Sequence, residues 1–203
     1  MTQRYVRESK DRGILNWPNI LTLSRIVFAV ILVFLLEQGS ARGNMLAAMV
    51  FLIASLTDYY DGYLAKKQGL VSDFGKIMDP IADKVLLLST FGVLAHIGLV
   101  DWWMFITIAV REILVTASRL CVMFHKGQVL AAERSGKIKT VTQIVAVSVI
   151  LLYLVAQQSH LCSSWFSNVQ NIWLILIKVL MWIAVILTIY SGAEYYRNKI
   201  GTK

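Results

Sequence analysis

Apolar residues fall into six long runs, and short polar or basic segments separate these runs. Each run is close to the roughly 20 residues that cross the ~30 Å hydrocarbon core of a bilayer as a helix. Pro18 indicates where the first helix begins, because proline is well tolerated in a first helical turn. We predict six transmembrane helices, over approximately Asn19–Leu36, Asn44–Leu64, Gly75–Leu99, Asp101–Phe124, Ile138–Ala156 and Asn171–Tyr190.

The composition agrees with an integral membrane protein. Of the 203 residues, 57% are hydrophobic, whereas a soluble domain has roughly 45–50%. The formal net charge is +8, but the basic residues lie between the apolar runs and form no continuous basic face. We therefore expect anionic headgroups and phosphates as partners, and no nucleic acid. We expect one all-α domain at 18–203, preceded by a basic juxtamembrane segment at 1–17.

The distribution of lysine and arginine predicts the orientation of the chain. These residues are concentrated in the N-terminal segment, in the connections after the second and fourth helices, and at the C-terminus. On the opposite side only Arg42 occurs. By the positive-inside rule, both termini and the two basic connections are expected in the cytoplasm.

Four aspartates flank the connection between the second and third helices. Asp58 and Asp61 are three residues apart, and Gly75, Asp79 and Asp83 follow one another at intervals of four. On helices these spacings place each set on one face. If the two helices pack antiparallel, both faces can line one cytoplasmic cavity.

Carboxylates gathered in this way favour a divalent cation. Like charges at a low dielectric need compensation, and ligands that are all carboxylates suit magnesium, manganese or calcium better than zinc or copper. For any single aspartate, pairing with a lysine is an alternative. Four lysines are near in the sequence: Lys66, Lys67, Lys76 and Lys84. Four acids interleaved with small residues nevertheless favour a metal site near the headgroups, which suggests phosphate chemistry.

The same segment resembles the signature of the CDP-alcohol phosphotransferase family, D-x2-D-G-x2-A-R-x8-G-x3-D-x3-D. All spacings agree, and Lys66 stands where the family usually has arginine. Lysine keeps the charge but lacks the planar two-pronged geometry that suits phosphate. Further segments resemble the bacterial phosphatidylglycerophosphate synthases of this family: 18–25, 111–113, 118–119 and 136–140.

The resemblance implies a six-helix bundle, commonly a homodimer, with its active site open to the cytoplasm at the bacterial inner (plasma) membrane. It also implies that glycerol 3-phosphate displaces CMP from CDP-diacylglycerol. Asp58, Asp61 and Asp79 would hold one or two divalent ions, Mg²⁺ or Mn²⁺, and Asp83 would be the general base that also contacts metal. The implied CDP-binding residues are Asp58, Gly62, Ala65, Lys66 and Gly75.

A phosphorylated acceptor needs cations of its own. Arg111 and Arg119 are eight residues apart on the fourth helix, about 80° apart around its axis. Arg134, Lys137 and Lys139 are expected in the loop that follows and could converge on the same anion. The alternative for Arg111 is an ion pair with Glu112 or with another carboxylate. Asn19, Thr22 and Arg25 of the first helix are expected either to contact the diphosphate or to brace the aspartates.

Two alternatives to glycerol 3-phosphate transfer remain open. Within the family, the acceptor could instead be inositol phosphate, serine, or phosphatidylglycerol as in a cardiolipin synthase. The basic residues of the fourth helix favour a small phosphorylated acceptor, which free serine would not require. Outside the family, intramembrane carboxylates can serve an ion transporter. A transporter is expected to have acids near the midplane, whereas these acids gather at one end.

Overall fold

The computed structural model describes residues 17–68, 73–126, 134–158 and 163–200, and within these ranges the chain is helical apart from short turns at 38–40 and 97–101, with no strand. Side chains are described for 23–57, 81–82, 84–122, 136–158 and 169–198. The six helices are α1 (Trp17–Glu37), α2 (Ala41–Gln68), α3 (Asp73–His96), α4 (Trp102–Lys126), α5 (Arg134–Gln158) and α6 (Ser163–Ile200). The predicted all-α class and the six helices are confirmed, and the expected segment at 1–17 lies almost wholly outside the described residues.

Two helix boundaries differ clearly from the prediction. α5 begins at Arg134, so Arg134, Lys137 and Lys139 lie on a helix and the expected loop position is wrong. α6 has 38 residues and extends beyond the predicted Asn171–Tyr190 at both ends. The added segments are polar but contain no proline, and a packed helix can continue through polar residues.

The helices pack as a closed ring in the order α1, α2, α5, α6, α4, α3. α3 also contacts α5 across the ring. Both helices that carry the aspartates, α2 and α3, therefore pack against α1. Sequence neighbours are not always ring neighbours, because α1 lies between α2 and α3 and α6 lies between α4 and α5.

Side-chain contacts give the helix directions. α3 and α4 are antiparallel, since Lys84 meets Glu112 and Gly92 lies against Phe105. α4 and α6 are parallel, because Trp103 contacts Trp182 near one end and Arg111 contacts Ser191 further along both helices.

The remaining contacts extend this pattern to the whole ring. α5 is antiparallel to α6 through its Gln143–Thr188 and Tyr153–Gln170 contacts. It is also antiparallel to α2, whose Asn44 bonds Gln158. Successive helices along the chain thus alternate in direction, and the starts of α3 and α5 lie at the same end of the bundle as the ends of α2, α4 and α6.

The opposite end is closed by a tight corner between α1 and α2. Gly39 has a φ of 59°, a left-handed conformation that glycine adopts without strain. The Gln158 side chain donates to the Gly39 carbonyl at 2.9 Å and accepts from Asn44 at 3.0 Å. This side chain therefore fixes the corner to the end of α5.

The interior and the outer surface of the bundle are both apolar. Each helix contributes fully buried side chains, among them Leu32, Phe51, Phe91, Ile108, Ile150 and Met181. Large apolar side chains that are more than half exposed cover five of the helices, for example Val30, Leu56, Ile113, Val141 and Ile172. Soluble monomers rarely expose apolar patches beyond a few hundred Å². The outer surface is therefore suited to lipid.

Two described stretches are long and apolar enough to cross a bilayer, Gly136–Gln158 and Val169–Asn198. Ala41–Thr57 and Lys84–His96 are apolar over shorter lengths. α4 is interrupted by Arg111, Glu112 and Arg119. The two long stretches and the apolar outer surface indicate a membrane protein.

Candidate active site

A buried carboxylate, that of Glu112 on α4, lies at the centre of a polar cluster inside the bundle. Glu112 is 2% exposed. Its Oε2 lies 2.9 Å from Lys84 Nζ of α3 and 3.5 Å from Nη1 of Arg111. Its Oε1 accepts a hydrogen bond from Lys139 Nζ of α5, with Gln143 Nε2 at 3.5 Å. One carboxylate therefore joins three helices.

Helical register explains why these polar side chains are buried. Glu112 follows buried Ile108 by four residues and precedes buried Val115 by three, so it lies on the inner face of α4. On α5, Lys139, Gln143 and Val147 succeed one another at intervals of four and are all buried. The polar cluster thus occupies positions that would otherwise hold core apolar residues.

Hydrogen bonds from α6 complete the cluster. Gln143 Nε2 donates to the Thr188 hydroxyl at 3.2 Å, and that hydroxyl donates to the Ala184 carbonyl at 2.6 Å. Arg111 Nη2 donates to the Ser191 hydroxyl at 2.6 Å. These hydrogen bonds restrict the orientations of the Gln143 and Arg111 side chains, in addition to their contacts with Glu112.

The charges of the cluster do not balance among its described members. Lys84, Arg111 and Lys139 are cations, and Glu112 is their shared anion. Three positive charges and one negative charge give +2. Burying charge is expensive unless it is paired, so such a cluster favours further anionic groups, from the chain or from a ligand. A phosphate group has suitable charge and geometry for lysine and arginine.

The other predicted acceptor cations are arranged differently. The guanidinium carbon of Arg119 lies 5.6 Å from the centroid of the Tyr195 ring, a cation–π contact. Arg119 therefore faces α6, as Arg111 does. Lys137 is exposed, whereas Lys139, two residues later, is 1% exposed and paired with Glu112. The structure brings Arg111 and Lys139 together and leaves Lys137 outside the cluster.

The predicted ion pair of Arg111 with Glu112 is present at 3.5 Å. Glu112 also has two lysine partners from other helices, which the sequence spacing did not indicate. The cluster members that sequence reasoning missed are Lys84, Gln143, Thr188 and Ser191. The spacing of Gln143 four residues after Lys139 was a usable signal, because both must share a helical face.

The predicted aspartate positions lie on the helices next to this cluster. α2 is helical through Asp58 and Asp61, and α3 through Asp79 and Asp83. Lys84 directly follows Asp83, so the polar cluster begins one residue from the predicted base. Because α3 and α4 are antiparallel, the Asp79 backbone lies on the same side of the Glu112 level as Arg119.

Several predicted site residues have side chains outside the described residues: Asn19, Thr22, Asp58, Asp61, Gly62, Ala65, Lys66, Gly75, Asp79, Asp83 and Arg134. Arg25, in contrast, is described and is 5% exposed in α1, the helix that packs on both α2 and α3. It is therefore directed into the bundle.

A metal-ligand cluster of His, Cys, Asp and Glu is not found among the side chains that the structure describes. The four aspartates fall outside that set. Their donor chemistry fits a hard divalent cation, because all four are carboxylates, and their helical segments lie at one end of the bundle.

An apolar groove of about 380 Å³ lies beside Arg111 between α4 and α6. Its other lining residues are Ile106, Thr107, Val110, Leu114, Val115 and Tyr196. This lining suits hydrocarbon better than phosphate. We therefore do not assign phosphate binding to the groove.

Comparison with known families identifies the relatives of the chain. The sequence model of the CDP-alcohol phosphatidyltransferase family matches residues 15–190. This chain belongs to that family. The match includes all four aspartates and the Glu112 cluster up to Thr188.

Individual relatives support the family assignment. A Bacillus subtilis protein named CDP-diacylglycerol–glycerol-3-phosphate 3-phosphatidyltransferase is 38% identical over 193 residues, covering 89% of this chain and 93% of the relative. A Rickettsia bellii protein of the same name is 36% identical and covers 90% and 94%. A Mycobacterium tuberculosis protein named probable phosphatidylglycerophosphate synthase is 34% identical and covers 90% and 80%. The family member described here is thus similar to these relatives over nearly its full length.

Proposed function

We propose that this membrane protein transfers the phosphatidyl group of CDP-diacylglycerol to glycerol 3-phosphate, giving phosphatidylglycerophosphate and CMP. The observation that carries the proposal is the similarity over about nine-tenths of the chain to relatives named for this reaction. The cationic cluster on α3, α4 and α5 supports a phosphorylated acceptor over an uncharged one.

In the proposed reaction, a hydroxyl of glycerol 3-phosphate attacks the phosphorus that bears the diacylglycerol. A new oxygen–phosphorus bond forms, the bond to the CMP phosphate breaks, and CMP leaves with that oxygen. Asp83 takes the hydroxyl proton as general base. A base must lie within about 3 Å of the proton it removes. The position of Asp83 directly before Lys84 on α3 supports a base close to the cationic cluster.

Asp58, Asp61 and Asp79, with Asp83, are proposed to hold one or two divalent cations, with Mg²⁺ as the leading candidate. When bound, such an ion neutralises charge on the diphosphate and on the leaving oxygen. Gly62, Ala65, Lys66 and Gly75 would contact the nucleotide. Asn19, Thr22 and Arg25 would support this region from α1, and the burial of Arg25 is consistent with that role.

The acceptor phosphate is proposed to bind to the cations of α4 and α5. Arg111 and Arg119 both face α6, and Arg119 is the nearer of the two to the end of the bundle that carries the aspartates. Lys139 reaches the interior with Arg111, and Arg134 and Lys137 lie within the preceding turns of α5. Lys137, being exposed, is suited to attracting the anion before it enters.

The arrangement in the membrane is also proposed. All six helices are expected to span a bacterial inner membrane, with both termini and the aspartates on the cytoplasmic side. Residues 18–203 form the catalytic domain, and 1–17 contact anionic headgroups. A homodimer is proposed from the family resemblance, and its mass in detergent micelles tests it. Single cysteines at loop positions, labelled from either side of intact cells, test the topology.

The reaction is tested with the purified protein, CDP-diacylglycerol and Mg²⁺. Glycerol 3-phosphate, inositol phosphate, serine and phosphatidylglycerol are supplied separately, and CMP release is measured. We expect release with glycerol 3-phosphate and its loss on chelation of the metal. Release with another acceptor alone would refute the proposed acceptor but retain the family reaction.

A further inference from the structure

The cluster around Glu112 is larger than an ion pair needs to be. Its carboxylate is approached by Lys84, Arg111 and Lys139, which belong to α3, α4 and α5. An ion pair buried only for stability is often no better than well-packed apolar residues, because desolvation offsets the attraction. The arrangement therefore suggests a role beyond packing.

The two carboxylate oxygens of Glu112 determine the positions of the lysine ammonium groups. Each carboxylate oxygen has its own lysine: Oε1 takes Lys139 and Oε2 takes Lys84. The two lysines are thereby held on opposite oxygens of one rigid group. Lys84 directly follows Asp83 in the chain. Because Glu112 contacts both Lys84 and Lys139, it also helps to fix the position of Lys139 relative to the backbone of the proposed base.

Neutral side chains of α5 and α6 hold Glu112 and its partners in place. Gln143 is 1% exposed and bridges Glu112 to the Thr188 hydroxyl. Ser191 accepts a hydrogen bond from Arg111. Buried polar networks of this kind restrict each member to one orientation when their hydrogen bonds are satisfied. The cations are thus positioned before an anion arrives.

We propose that Glu112 is a positioning residue that holds Lys139 and Arg111 for the acceptor phosphate and ties them, through Lys84, to Asp83. Glu112 itself does not touch the acceptor, because a carboxylate would repel a phosphate. The inference rests on the proposed transfer to glycerol 3-phosphate. The positioning role explains why the buried acid Glu112 lies among cations that are proposed to bind an anion.

The test is steady-state kinetics of Glu112→Gln in the full-length protein, with each substrate varied in turn. Glutamine keeps the shape but loses the charge that orders the lysines. We expect the KM for glycerol 3-phosphate to rise about tenfold or more, the loss typical of a charge-assisted contact. The KM for CDP-diacylglycerol should change less than about twofold, because that substrate is bound elsewhere. Glu37→Gln is the matched control, since Glu37 is exposed at the end of α1.

A general loss of structure would act on both substrates. Equal increases in the two KM values, or a fall in kcat with both KM values unchanged, would overturn the positioning role. Glu112→Asp, which restores the charge, should recover part of the acceptor affinity. The transferase proposal fails separately, if the wild-type protein releases no CMP with glycerol 3-phosphate.

Two milder variants decide the question if Glu112→Gln does not fold. Glu112→Asp retains the charge on a shorter side chain, and Thr188→Val removes the hydroxyl that holds Gln143. Each should raise the acceptor KM by about twofold to fivefold, in line with one neutral hydrogen bond or a small displacement. An unchanged acceptor KM in both variants would overturn the proposal.

Discussion

The Arg111 guanidinium of α4 donates a hydrogen bond to the Ser191 hydroxyl of α6 across 2.6 Å. Gly192 leaves room for this contact, because a Cβ at that position would lie 3.2 Å from Arg111 Cγ. Glu112 Oε2 lies 3.5 Å from the other terminal nitrogen, Nη1. Ser191 of another helix and Glu112 of its own helix therefore both contribute to the direction of Arg111.

Replacing Ser191 should weaken acceptor binding through Arg111. In Ser191→Ala the guanidinium loses its contact on α6, and we expect the KM for glycerol 3-phosphate to rise about twofold to fivefold. Initial CMP release rates at varied acceptor concentration measure this. Ser148→Ala is the matched control, because the Ser148 hydroxyl donates to the Ile144 carbonyl of its own helix, α5. Equal KM values for Ser191→Ala and wild type would show that Arg111 does not depend on Ser191.

Removing the proposed base should separate binding from turnover. Asp83→Asn cannot accept the hydroxyl proton, so we expect kcat to fall by roughly 10²–10⁴-fold. Binding of CDP-diacylglycerol, measured by titration calorimetry in detergent, should remain within a few-fold of wild type. Asp101→Asn serves as control, because Asp101 is exposed just before α4. A near-normal rate for Asp83→Asn would remove the assignment of the base.

The lysine at position 66 offers a gain-of-affinity test. Arginine has the planar, two-pronged donor geometry that suits phosphate oxygens better than an ammonium. We expect Lys66→Arg to lower the KM for CDP-diacylglycerol by about twofold to fivefold. Lys67→Arg makes the same chemical change one residue later and should leave the KM near the wild-type value. The same KM decrease in both variants would argue for a general effect of arginine at the membrane surface.

The corner between α1 and α2 should tolerate no side chain at Gly43. A Cβ there would lie 2.7 Å from the Leu35 carbonyl oxygen, a backbone atom that cannot turn aside as the end of a flexible side chain can. Gly43→Ala should therefore destabilise the protein by about 1–3 kcal/mol, the usual effect of overpacking. Thermal unfolding in detergent measures the loss as a lower Tm. Gly92→Ala is the control, since its Cβ would meet only the Phe105 ring at an ordinary 3.6 Å.

Helix number and class could be read from the sequence because apolar runs of spanning length have few alternative structures. The ends of the helices could not. Residues Ser163–Gln170 are polar enough to resemble a loop, yet they continue α6. Lys139 was expected in a loop for the same reason, and it lies on α5 with its side chain buried. Local polarity does not distinguish a loop from a helix whose polar residues find partners.

The residue types of the candidate site could be predicted from the sequence, but the contacts between side chains on different helices could not. The spacing of Asp79 and Asp83 is a local property of one helix, and the helix is present. The meeting of Lys84 with Glu112 depends on how α3 packs against α4, which no spacing within one helix specifies. Thr188 and Ser191 are three residues apart on α6, but only the packed bundle shows that they meet Gln143 and Arg111.

The order of helices around the ring has a consequence for synthesis of the chain. The first four helices form an open row, α2–α1–α3–α4, and the α5–α6 hairpin later joins the two ends of that row. All four aspartates are thus translated before Lys139, Gln143 and Ser191 exist. An unfinished chain carries the acids but leaves Glu112 without Lys139 and Gln143 of α5, and Arg111 without Ser191 of α6. The polar cluster around Glu112 therefore becomes complete only when the final hairpin closes.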